Sequence, residues 1–181
     1  MKPGLLSCWL LLFATQAFGH RLDECLQATR IAVAINRIDL SIDLTPGVAV
    51  AGEFLLGIDK DRDGRVSDEE RDIHARHVLR DLQVGLDGKT LTLTLTNAAF
   101  PALREVRAGL GVIRIQATAS IAPLKPGVHT LSHTNLHLPG ISVYLVNALV
   151  PKDRAIRIMK QTRDESQKDY RLEFSVSPPA P

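Results

Sequence analysis

Apolar and polar residues alternate with a period of two along most of this chain, and that alternation restricts the fold more than any other feature. In residues 37–44, Ile38, Leu40, Ile42 and Leu44 share one face, while Arg37, Asp39, Ser41 and Asp43 share the other. Successive side chains of a strand point to opposite faces, so such a segment buries one face and leaves the other wet. Residues 26–35 precede it as a pairing partner, with Asn36-Arg37 as the turn. Residues 90–96 alternate Thr and Leu without a break, just after Asp87-Gly88, a pair suited to tight hairpins. Segments 112–119, 128–138, 141–150, 155–162 and 169–176 continue the pattern. Pro101, Gly109, Gly111, Pro123, Pro126-Gly127, Pro139-Gly140 and Pro151 punctuate the gaps. About eight strands with turn signals between them predict a mainly β, antiparallel, sandwich-like fold.

One segment breaks the period. From Val48 to Leu82 no strand alternation is found, and the residues favour helix. Ala75, Val78, Leu79 and Leu82 fall at i, i+3, i+4 and i+7, an apolar stripe on one helix face that Ile73 lies off. Phe54 and Ile58 stand four apart on an earlier helix. The expectation is two helices inserted at 48–82 between strands, joined by a charged loop.

That loop is Asp59-Lys60-Asp61-Arg62-Asp63-Gly64-Arg65-Val66-Ser67-Asp68-Glu69-Glu70. It fills every required position of D-x-[DN]-x-[DN]-G-x5-E. The spacing has a physical reason. Calcium is a hard cation that takes six to eight oxygens, so a coiled loop must turn alternate carboxylates inward. Asp59, Asp61 and Asp63 supply them. Gly64 permits the sharp bend at the sixth position. Arg65 offers its backbone carbonyl, Ser67 acts directly or through a water, and Glu70 closes the shell with two oxygens. Ser67 and Glu70 also form a capping box for the exiting helix. Lys60, Arg62 and Arg65 partly offset the ligand carboxylates, which weakens affinity.

Residues 50–80 therefore resemble an EF-hand, and the resemblance implies calcium as cofactor. EF-hands usually come in pairs that meet through the eighth loop position, Val66 here. No second loop of this kind occurs, because Asp153, Asp164 and Asp169 lack the glycine and the spacing. A lone hand either dimerises or leans on the strand domain, and the second is expected because it is inserted between strands. A structural or low-affinity role follows, at the roughly 10⁻⁴–10⁻³ M typical of extracellular modules. With Ser142-Val143-Tyr144-Leu145-Val146-Asn147-Ala148-Leu149-Val150-Pro151, the whole chain resembles exported bacterial proteins that carry a single EF-hand. It also resembles the extracytoplasmic part of membrane metal-transporter-like proteins of the nickel and urease accessory type.

The ends suggest export. Lys2, an apolar run from Leu5 to Phe13 and Ala17-Phe18-Gly19 read as a signal peptide over 1–19, too short to span a bilayer. The β-rich domain would then occupy 20–177, with no transmembrane segment after cleavage, and 178–181 would be a disordered tail. Cys25 would be the one mature cysteine, without an internal disulfide partner, and reads as a small buried apolar residue. A mature start at His20 would join an amine to an imidazole, a chelate for copper or nickel.

Other classes are disfavoured. A net charge of +2 and 4% aromatic residues do not suit a nucleic-acid binder. No nucleophile elbow, HExxH, CxxC or glycine-rich phosphate loop is found, so an enzyme is not expected. His74 and His77 stand three apart on the exiting helix and could reach one metal, although a surface role is the plainer reading. His129, His133 and His137, on a strand, are too far apart to share one ion. Two further readings stay open: an envelope-protein partner domain whose calcium is only a brace, and transition-metal binding through His20.

Overall fold

A computed structural model describes residues 23–178. The expected leader, His20 and residues 179–181 lie outside the described residues. Among the described residues, ten strands form two five-stranded sheets. β1 (Cys25–Ala34) and β2 (Arg37–Pro46) make a hairpin in which Ala34 pairs with Arg37, so the turn is Ile35-Asn36, one residue earlier than expected. After the helical segment come β3 (Leu82–Leu86), β4 (Lys89–Thr90), β5 (Thr94–Ala99), β6 (Ile113–Ser120), β7 (Gly127–Asn135), β8 (Ser142–Ala148), β9 (Ile156–Arg163) and β10 (Asp169–Val176). The first sheet runs β5-β6-β2-β1-β8 and the second β4-β3-β7-β10-β9.

The mainly β expectation stands, and the antiparallel one needs correction at one pair. β8 runs parallel to β1, from Cys25 opposite Ser142 to Ile31 opposite Ala148. Residues 136–141 carry the chain from β7 in the second sheet to β8 in the first, so β8 starts level with β1. The 90–96 segment is also not one strand. Thr90 pairs with Gly85 in the second sheet, and Thr94 already pairs with Thr118 in the first. Leu91, Leu93 and Leu95 all pack on the core through this switch. Alternation therefore persists while the strand changes sheets, a known way to turn a sandwich corner.

Inward residues of the two sheets form a single core. Ile31, Ile38, Ile42, Leu44, Ile113 and Ile115 face Leu131, Leu172 and Phe174, all fully buried. Burying each Ile or Leu is worth roughly 1.5–3 kcal/mol. On the outer face, Asp43 of β2 bridges Arg30 of β1 and Arg114 of β6 at 2.9 and 3.1 Å.

Helices α1 (Val48–Leu56) and α2 (Asp68–Arg80) stand between β2 and β3. Ser67 caps α2 through the expected capping box, and Asp68, Glu69 and Glu70 oppose the positive end of its dipole. Ala75, Val78 and Leu79 are buried and Ile73 is exposed. Leu82 belongs to β3 rather than to the helix, because Asp81 already caps α2. A short α3 (Leu103–Arg107) was not expected. α1 packs on β2 and α3, and α2 on β5 and β3. Both helices thus lean on the strands.

Candidate metal centre

The loop between α1 and α2 is anchored at both ends. Ile58 is buried directly before Asp59, and Val66 is partly buried against the core. The Val66 carbonyl accepts from the Arg71 guanidinium at 3.1 and 3.2 Å. The position through which paired loops would meet is therefore engaged within this chain. Arg62 and Gly64 have φ of 61° and 80°, which coils the loop tightly. Gly64 accepts this conformation at little cost because it has no Cβ.

Coiling brings together Asp59, Asp61 and Asp63, each with one carboxylate oxygen within 4.8 Å of the others. Backbone amides fix the carboxylates. Gly64 N–H donates to Asp59 Oδ2 at 3.0 Å, Asp63 N–H to Asp61 Oδ1 at 3.1 Å, and Arg65 N–H to Asp63 Oδ1 at 2.8 Å. Asp61 and Asp63 are exposed, whereas Asp59 is only 7% exposed. Its second oxygen, Oδ1, is buried with no hydrogen-bond partner. A buried carboxylate oxygen without a donor is costly unless a cation satisfies it.

Glu70 stands at the closing end of the loop and is not part of the three-aspartate cluster. Its Oε1 accepts from Lys60 N–H at 2.6 Å; its Oε2 accepts from Ser67 N–H at 2.9 Å and Ser67 Oγ at 2.8 Å. The Ser67 and Lys60 bonds hold its carboxyl below the usual carboxylate range. Glu70 thus closes the loop back onto its start. Of the expected ligand set, three aspartates are clustered, Glu70 is hydrogen-bonded within the loop, and Arg65 and Ser67 are exposed.

The surface reading fits His77, whose side chain is 58% exposed, and fails for His74, whose Nε2 is buried. His129 stacks on Phe174 at 5.5 Å, with Asp87 Oδ2 at 2.7 Å from Nδ1 and the Lys125 carbonyl at 2.8 Å from Nε2. Burial pulls its pKa down, but both hydrogen bonds and the Asp87 charge outweigh it and leave it raised. His133, 1% exposed, has no partner on either ring nitrogen, and burial depresses it to about 4. Cys25 is fully buried. Burial pushes its thiol up to about 12 against the lowering bond from the Thr45 backbone, which makes it unreactive.

Sequence reasoning missed the orphaned Asp59 Oδ1 and the Arg71–Val66 clamp. The first depends on how deeply Ile58 sinks the start of the loop, and no local spacing reports that. Comparison with known protein families and with curated proteins finds no match for this chain.

Proposed function

We propose that the segment 50–80 is a lone EF-hand that binds Ca2+ in an exported protein, in a structural or low-affinity role. One observation carries this reading: the buried, unpartnered Asp59 Oδ1 within a cluster of three aspartates. A hard cation offsets their mutual repulsion and supplies the missing partner of Oδ1. Arg65 through its carbonyl, Ser67 and Glu70 complete the oxygen shell. Glu70 must loosen its bonds to Ser67 to join, and Lys60, Arg62 and Arg65 dilute the negative charge. Both effects lower affinity. Dissociation constants of roughly 10⁻⁴–10⁻³ M suit an extracytoplasmic site.

Thermal unfolding in calcium and in chelator tests this. Calcium about tenfold above its Kd adds about 1.4 kcal/mol, a rise of roughly 3–6 °C in Tm. Asp59→Ala and Glu70→Gln should abolish the calcium-dependent rise. A parent protein whose Tm is the same in millimolar calcium and in chelator refutes the reading.

A further inference from the structure

We infer that the opposite end of α2 carries a second metal site, of different chemistry, built from His77, Asp81 and His137. It is independent of the calcium loop. His77 lies in the last turn of α2, Asp81 caps that helix, and His137 lies on the 136–141 crossover between the sheets. His137 Nδ1 is 2.8 Å from Asp81 Oδ2, and His77 Nε2 is 3.5 Å from the same oxygen. The three donor atoms lie within 4.8 Å of one another. Tetrahedral zinc, with bonds of about 2.0–2.1 Å, spaces its donors about 3.3 Å apart. The His137–Asp81 edge would open slightly and the edges to His77 would shorten to seat one ion.

The donor set selects the ion. Two imidazoles and one carboxylate suit a divalent transition metal such as Zn2+ or Ni2+, and they suit calcium poorly. The last-turn carbonyls of α2 add negative potential. The ion takes the place of the proton between His137 Nδ1 and Asp81, and the imidazole stays neutral as its Nε2 tautomer.

The surroundings hold the ligands in place. The Asp81 carbonyl accepts from Leu136 N–H at 2.9 Å, which ties the helix end to the crossover. His137 N–H donates to Asn135 Oδ1 at 2.9 Å, and the His137 carbonyl accepts from Gln27 Nε2 at 2.8 Å and Tyr144 Oη at 2.9 Å. Fixed ligands of this kind lower the ordering cost of binding. Exposure grades outward from 4% for the His137 side chain through 30% for Asp81 to 58% for His77, so an ion can reach the site from solvent. His74, one turn before His77, sets its ring edge-on to His137 at 5.9 Å. His74 Nε2 and His137 Nε2 are both buried without a partner. The ion binds His137 through Nδ1, so it satisfies neither of these nitrogens, and the site rests on the His77, Asp81 and His137 geometry.

The test is titration of the metal-stripped protein with zinc, and separately nickel, by calorimetry in saturating calcium. One equivalent of zinc should bind. His77→Ala, at an exposed position, should weaken it at least about tenfold without changing the zinc-free Tm; Asp81→Asn should weaken it too, together with some loss of zinc-free stability, because Asp81 also holds the buried His137. Glu70→Gln should leave zinc binding intact and remove only the calcium response. Zinc affinity unchanged in His77→Ala would place the ion elsewhere, His20 included, and overturn the inference. So would competition between zinc and calcium for one site, or no binding at all.

Discussion

His133 is held in β7 with neither ring nitrogen hydrogen-bonded, so only its neutral form fits the core. Burial depresses its pKa to about 4, and the Asp169 charge only partly opposes this. The unfolded chain, titrating near the ordinary 6.5, binds the proton first as pH falls. Stability from this group is therefore fully present above pH 6.5 and is lost as pH drops toward 4. The loss reaches up to about 3 kcal/mol. His74 has the same sign, so the comparison must be between variant and parent. His133→Leu should flatten the decline in urea-derived stability between pH 7 and 4.5, and an unchanged slope would show that His133 does not drive it. At this scale the sequence was partly legible. Asp59, Asp61 and Asp63 share a loop, so their spacing sets their geometry. Asp81 and His137 are 56 residues apart and meet only because a crossover passes the end of α2.

α2 is delimited by side chains close to it in sequence, which is why its start was legible. Ser67 Oγ accepts from Glu70 N–H at 3.3 Å, and Glu70 answers at the Ser67 amide. Ser67→Ala removes the hydroxyl half of this pair, leaving the amide bond to Glu70, and should cost about 1 kcal/mol in calcium-free stability, measured by urea denaturation. A change under a few tenths would mean that packing on β5 and β3 fixes the helix without its cap. The end of α2 was less legible. The apolar stripe runs through Leu82 without a break, because Leu82 is buried by the strand that follows as well as it would be by a helix. The alternating Thr-Leu run was misread as one strand for a related reason. Period two reports which residues point inward, and both sheets share the same interior, so the pattern cannot say which sheet a residue has joined.

The two sheets are joined by apolar contact, by hydrogen bonds from Arg163 of β9 to Val146 and Asn147 of β8, and by a fully buried polar chain that crosses between them. Gln27 of β1 accepts from Asn135 Nδ2 of β7 at 2.9 Å and donates to the His137 carbonyl at 2.8 Å. Asn135 in turn accepts from the His137 amide. Gln27 and Asn135 are essentially inaccessible, so each amide depends on the other for satisfaction. Polar residues on inward strand faces break the alternation, and sequence alone gives no sign that these two, 108 residues apart, complete each other. Gln27→Leu would strand the Asn135 amide, and Asn135→Leu would strand the Gln27 carbonyl and the His137 amide. Each should cost about 1–3 kcal/mol. The double variant leaves only the His137 amide unpaired, so it should cost clearly less than the two single losses together, with a coupling of at least about 0.5 kcal/mol. Urea unfolding of all four proteins measures that coupling. Strict additivity would mean that the Gln27–Asn135 pair does not register the sheets. A positive coupling would identify this chain as the device that fixes the 136–141 crossover, and with it His137, against both sheets.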